Sequence, residues 1–104
     1  MKEIKTKEEL ENLIKSGIVL VKIGQEFCGP CRLVESNMSA IEGDYEGKVE
    51  FAKIDANDCD EELLEDIMSI PVTRLYVDGE IKSQEVGLKT KEQLRALLDE
   101  TTNK

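Results

Sequence analysis

Histidine is absent from the 104 residues, and cysteine occurs only three times. A structural zinc site takes four Cys or His ligands, so Cys28, Cys31 and Cys59 fall short of one with no imidazole to complete it. Three cysteines are also too few, and odd in number, for the disulfide framework of a small secreted domain. Positive charge is scarce: 14 Lys and Arg stand against 23 Asp and Glu, a formal net charge of −9. Phosphate recognition needs a basic footprint, and an anionic bilayer surface repels the same balance. Neither nucleic acid nor membrane is therefore expected as a partner. The acidic excess reads as solubility, or as steering toward a basic partner.

Long apolar runs are missing as well, and nothing approaches the ~20 residues of a membrane span. Residues 1–17 are polar and amphipathic, without the hydrophobic centre or small-residue cleavage site of a secretory signal. A reducing, cytoplasmic setting is the expectation. There, a Cys-x-x-Cys pair points to redox chemistry or a metal.

Hydrophobic residues make up 39% of the chain and charged residues 36%, which suits one modest core under a charged surface. One domain over residues 1–104 is expected. Thr6-Lys7-Glu8-Glu9 is a capping-box pattern, followed by Leu10, Leu13 and Ile14 at helical spacing and by Gly17 as a stop. Ile18–Ile23 reads as a strand buried on both faces, interrupted only by Lys22. A helix begins within Gln25–Cys31 and carries Leu33, Val34, Met38, Ile41 and Tyr45 as an apolar stripe. Val49–Ile54 is the next strand. Asp60, Glu61 and Glu62 then load the first turn of a predicted helix bearing Leu63, Leu64 and Ile67. Val72–Val77, an Asp78-Gly79 turn and Ile81–Val86 make a hairpin. Thr90-Lys91-Glu92-Gln93 caps a final helix with Leu94, Leu97 and Leu98.

A short strand near Ile4 would add a fifth. The alternation of early elements demands a parallel pair with crossovers, and the hairpin adds an antiparallel one. The predicted fold is α/β, a central mixed sheet of four to five strands flanked by about four helices. Arg32 and Arg74 read as surface charges.

The chemistry lies in Cys28 and Cys31. Two cysteines three positions apart on the first turn of a helix meet the Cα spacing of about 4.4–6.8 Å that a disulfide needs. The unpaired N–H groups and positive dipole end at a helix N-terminus stabilise a thiolate. Cys28, at the mouth of the strand-to-helix turn, is the better placed nucleophile. Cys31, one turn inside, is placed to resolve a mixed disulfide. Pro30 near the helix start costs no needed donor, and Gly29 clears space for a substrate sulfur. Cys59, flanked by Asp58 and Asp60, reads as incidental.

With these residues, nearly the whole chain resembles the thioredoxin family. Phe27-Cys28-Gly29-Pro30-Cys31 is similar to its active-site segment, in which an aromatic residue, usually Trp, precedes Cys-Gly-Pro-Cys. Ile70-Pro71 matches its Ile–cis-Pro, Asp78-Gly79-Glu80 its hairpin, and Val86-Gly87 its glycine loop. Lys53 falls at a lysine position near the active site. The resemblance implies a thioredoxin fold and a substrate groove formed by Phe27, Gly29, Pro30, Ile70, Pro71 and Gly87, with the Ile70 backbone pairing an extended substrate segment. It implies a monomer with no cofactor beyond the Cys28–Cys31 disulfide and no metal. Its partners would be disulfide-containing proteins and a thioredoxin reductase, flavin-dependent or ferredoxin-linked.

The chain departs from the family at Phe27, at Ser36 in place of a helix-kinking proline, and at Lys22. The last aligns with the family's buried acid, which is thought to help deprotonate the resolving cysteine. Lys22 and Lys53 are thus expected to tune thiol pKa values. An ammonium at Lys22 would stabilise the Cys28 thiolate and make the domain a weaker reductant; the alternative is a side chain that snorkels to solvent. The functional expectation is a general protein-disulfide reductase working through a mixed disulfide. The alternatives are a dedicated redox partner of one client, such as a peroxidase, and a thioredoxin-fold binding module with an idle disulfide.

Overall fold

The computed structural model describes residues 1–102. Its elements run β1 (Lys2–Glu3), α1 (Lys7–Ile14), β2 (Ile18–Gly24), α2 (Gly29–Glu42), β3 (Val49–Asp55), β4 (Val72–Val77), β5 (Glu80–Val86) and α3 (Lys91–Thr102). Two short 3-10 helices, Gly43–Tyr45 and Glu61–Leu64, lie between them. The sheet order is β1-β3-β2-β4-β5. Central β2 runs parallel to β3 and antiparallel to β4.

Local chemistry sets the boundaries. Thr6 Oγ1 accepts from the Glu9 N–H at 3.1 Å while Glu9 Oε1 accepts from the Thr6 N–H at 3.0 Å, and Thr90 and Gln93 repeat the exchange at 3.1 and 2.8 Å. Each box satisfies donors that a helix start leaves unpaired. Asp78 and Gly79 adopt φ of 49° and 89°, the left-handed pair that a two-residue hairpin turn requires.

Alternation along β2 divides the interior into two cores. Val19, Val21 and Ile23 face one side with Leu10, Ile54 and Leu63. Leu20 faces the other, with Val34, Met38, Phe51, Leu75, Leu94 and Leu98. Period-2 geometry therefore turns Lys22 and Lys53 toward α2, on the side of Leu20 and Phe51.

Three sequence expectations are corrected. The fourth helix predicted from Asp60 closes only as the 3-10 turn Glu61–Leu64, so three α-helices flank the sheet among the described residues. Asp60 makes no side-chain cap bond there, and Glu61, Glu62, Glu65 and Asp66 crowd like charge along a stretch that buries only Leu63. Leu33, expected in the core, is 54% exposed because it falls off the stripe of Val34, Met38 and Ile41. Arg74, expected at the surface, is buried. Its stem lies along the sheet while Nε donates to Gln84 Oε1 at 2.8 Å and Nη1 to the Tyr76 hydroxyl at 3.0 Å.

Candidate active site

β2 ends at Gly24, and the chain crosses to α2, whose N-cap is Cys28. Pro30 occupies the first turn of α2, where no N–H is missed. Cys28 and Cys31 are joined in a disulfide with Cα atoms 5.2 Å apart. The Cys31 N–H donates to Cys28 Sγ at 3.3 Å, so an orphan donor of the helix start already points at the outer sulfur. Cys28 is half-buried, whereas Cys31 is fully enclosed at 0% exposure.

Gly24 leaves room for the inner cysteine. A Cβ there would stand 2.8 Å from Cys31 Cβ and 2.9 Å from its Sγ, with Lys22 Cε at 3.5 Å. Gly24→Ala is therefore expected to cost about 1–3 kcal/mol by overpacking. Urea unfolding checks this, and an unchanged midpoint would contradict it.

Register carries the other loops to the same end of the sheet. Val72 pairs with Ile23 and with Val86, so Ile70-Pro71 and Gly87 lie beyond the end of β2 from which α2 departs. The Ile70–Pro71 bond is cis, and the Gly87 N–H donates to the Pro71 carbonyl at 2.9 Å. Phe27 is 90% exposed at this end. Two residues before Ile70 stands Met68, 95% exposed, and directly after Gly87 stands Leu88, 50% exposed. Sequence reasoning passed over both. Large apolar side chains in a loop beside the proline and the glycine were the signal available.

Lys22 is not solvated. Its side chain is 7% exposed, and Nζ donates to Glu35 Oε1 at 2.7 Å. Lys53, its direct partner across the β2–β3 ladder, donates to Glu35 Oε2 at 3.1 Å. The two lysines read from sequence are thus joined by one carboxylate that sequence reasoning missed. Burial pushes the Glu35 carboxyl up, but hydrogen bonds and charge from Lys22 and Lys53 outweigh it and hold it below the ordinary range. Across the β2–β4 ladder from Lys22, Thr73 Oγ1 is buried without a hydrogen-bond partner. A cleft of about 420 Å³ opens from the triad to solvent, lined in part by Gly24, Gln25 and Ser36.

Cys59 lies outside the constellation, half-buried against the α1-side core. Burial, and then Asp55, Asp60 and Asp58, push its thiol up, away from thiolate chemistry. Among the described residues, no group of three or more His, Cys, Asp or Glu is assembled for a metal.

A Cys-x-x-Cys disulfide at a helix N-terminus, at the sheet end that carries a cis-proline loop, defines a thiol–disulfide oxidoreductase. Comparison with known proteins agrees: the Thioredoxin family model matches residues 2–100. A thioredoxin of Staphylococcus epidermidis is 33% identical over 95 residues, covering 90% of this chain and 91% of that protein. One from Staphylococcus aureus is 30% identical over the same shares. The solved structure of Fasciola hepatica thioredoxin superposes with a TM-score of 0.85 at 27% identity, covering 96% of this chain and 98% of that one. A Plasmodium falciparum thioredoxin gives 0.80 at 24% identity, a likeness of fold, over 96% and 98% of the two chains. The chain belongs to the thioredoxin family.

Proposed function

We propose that this chain is a general protein-disulfide reductase in which Cys28 attacks and Cys31 resolves. The Cys28 thiolate displaces one sulfur of a substrate disulfide and forms a mixed disulfide. Cys31 then attacks Cys28 Sγ, and the second substrate sulfur leaves as a thiolate that solvent protonates. The substrate gains two electrons, and the chain is left as the disulfide. The observation that carries this order is the contrast at α2: a half-buried Cys28 Sγ receiving the Cys31 N–H, above a fully enclosed Cys31.

Phe27, Gly29, Pro30, Ile70, Pro71 and Gly87 form the substrate groove in this reading, with Met68 and Leu88 as apolar contacts at its rim. Their convergence at one end of the sheet supports it. The protein needs no cofactor beyond its disulfide, works as a monomer in a reducing cytoplasm, and is recharged by a thioredoxin reductase of flavin or ferredoxin-linked type. Among the described residues, no helix is long and apolar enough to cross a membrane.

A second reading, a reductase dedicated to one client, draws on Lys22 and Phe27, which stand where the family has an acid and usually a tryptophan. Insulin reduction with dithiothreitol as electron source, together with capture of mixed disulfides on Cys31→Ser from lysate, separates the readings. Turnover with many captured clients is expected. A single captured client would favour the dedicated reductase, and no turnover would leave a binding module.

A further inference from the structure

The most deeply buried charge among the described residues is Lys22, a lysine on the central strand whose neighbours in sequence are apolar. Burying an ammonium without an anion is costly, and Glu35 offsets that cost by reaching down from α2. Glu35 is placed to do so because it follows Cys31 by one helical turn, on the sheet-facing stripe with Val34 and Met38. The same spacing sets Lys22 beside the inner cysteine. The point where a Gly24 side chain would begin lies 2.9 Å from Cys31 Sγ and, at ordinary contact distance, 3.5 Å from Lys22 Cε. Of the two cysteines, Cys31 is the one that packs with the Lys22 stem around Gly24.

We propose that Lys22, held in place by Glu35, supplies the positive charge that turns Cys31 into the resolving thiolate, in place of a base that removes its proton. This rests on the attack-and-resolve order above. The charges around the sulfur decide the sign. From β2 comes Lys22; from β3, Lys53; from α2, Glu35, so two ammonium groups share one carboxylate. From β4 only the neutral Thr73 hydroxyl faces Lys22. Arg32 and Glu26 on the α2 side, and Glu3 and Asp55 on the β1–β3 side, line the outer cleft with one positive and three negative charges, and so oppose the inner set. These four are exposed or half-buried and so more strongly screened than Lys22. The innermost sign is positive.

Chemically, the Cys31 proton is lost to solvent before the attack; the enclosed sulfur does not itself line the cleft, but Gly24, against which it packs, does. The thiolate then bonds to Cys28 Sγ, the bond between Cys28 and the substrate sulfur breaks, and the electron pair departs on that sulfur. Glu35 is the positioning residue: tied to two lysines and held below the ordinary carboxylate range, it is a poor acceptor for a thiol proton.

The test uses stopped-flow reaction of the reduced protein with a small aromatic disulfide across a pH series, all in a Cys59→Ser background. The first thiol released reports attack by Cys28 and the second reports resolution by Cys31. In Lys22→Met the pKa of the second phase is expected to rise by about one unit, a tenfold loss of thiolate below it. A less acidic thiol is a better nucleophile, with a Brønsted slope of about 0.4–0.5, so the net slowing is about threefold at low pH and reverses at high pH. That crossing is a signature that a purely structural role does not produce.

Methionine suits the apolar strand and leaves Glu35 paired with Lys53. Lys22→Gln is the second neutral variant should methionine pack poorly, and it must shift the same phase the same way. Lys53→Met should shift it less. If Glu35 were instead the base, Lys22→Met would free it of one lysine and speed resolution, which would overturn the proposal. An unchanged second phase, an equal shift in Lys53→Met, or a shift confined to the first phase would do so too. Loss of the second phase in Cys31→Ser tests the underlying order separately: its persistence there would refute the attack-and-resolve order itself.

Discussion

Cys28→Ser is expected to bring insulin reduction down to the uncatalysed dithiothreitol rate, while Cys31→Ser, with no dithiol present, still reacts once and then stalls as a mixed disulfide. The asymmetry follows from α2. Its first turn presents the Cys31 N–H to Cys28 Sγ at 3.3 Å, and the remaining orphan donors and the dipole favour negative charge at the same place. A serine hydroxyl there has no thiolate to stabilise. Cys31 cannot stand in for it because its side chain is fully enclosed beneath Gly24 and α2. Mass spectrometry of the two variants after exposure to a disulfide peptide checks this. An adduct on Cys28→Ser, or none on Cys31→Ser, would reverse the assignment of roles.

Much of the fold and of this site is legible in the sequence. Both capping boxes, the Asp78-Gly79 turn and the placement of Cys28 and Cys31 at a helix start are local signals, carried by a few consecutive residues. The failures are tertiary. Glu61–Leu64 has helical spacing and acids in its first turn, but no side chain caps it, and only Leu63 is fully buried while Leu64 packs at the edge of the core. Arg74 reads as a surface charge until β5 supplies Gln84 beside it. Lys22 is anomalous within its strand and Lys53 falls on the adjacent one, yet no local signal ties Glu35 to either. The requirement itself was readable, since an ammonium in an apolar strand needs an anion. Glu35 and Glu42 are the carboxylates of α2, and only Glu35 lies one turn beyond Cys31.

That carboxylate also carries the second large effect, on stability. Glu35→Ala is expected to destabilise the fold by about 2–3 kcal/mol at neutral pH. This is at or below the low end of the range for breaking a buried pair, because Glu35 keeps about a third of its side chain in solvent and part of its charge is screened. Most of the loss is the cost of leaving Lys22 buried and facing Lys53 across the ladder with no anion between them. Removing the charge with its partner should reverse it. Lys22→Met combined with Glu35→Leu leaves an apolar strand under an apolar helix face, and is expected to recover most of the stability lost in the single variant. The pH dependence has a definite sign. The folded carboxyl titrates below its ordinary value of 4.5, so its contribution is complete above that value and is lost as pH falls through the folded pKa. Urea unfolding at neutral and acidic pH reads both effects. Wild type and Glu35→Ala should converge as the carboxyl protonates. A Glu35→Ala variant as stable as wild type at neutral pH would mean that Lys22 finds solvent without it.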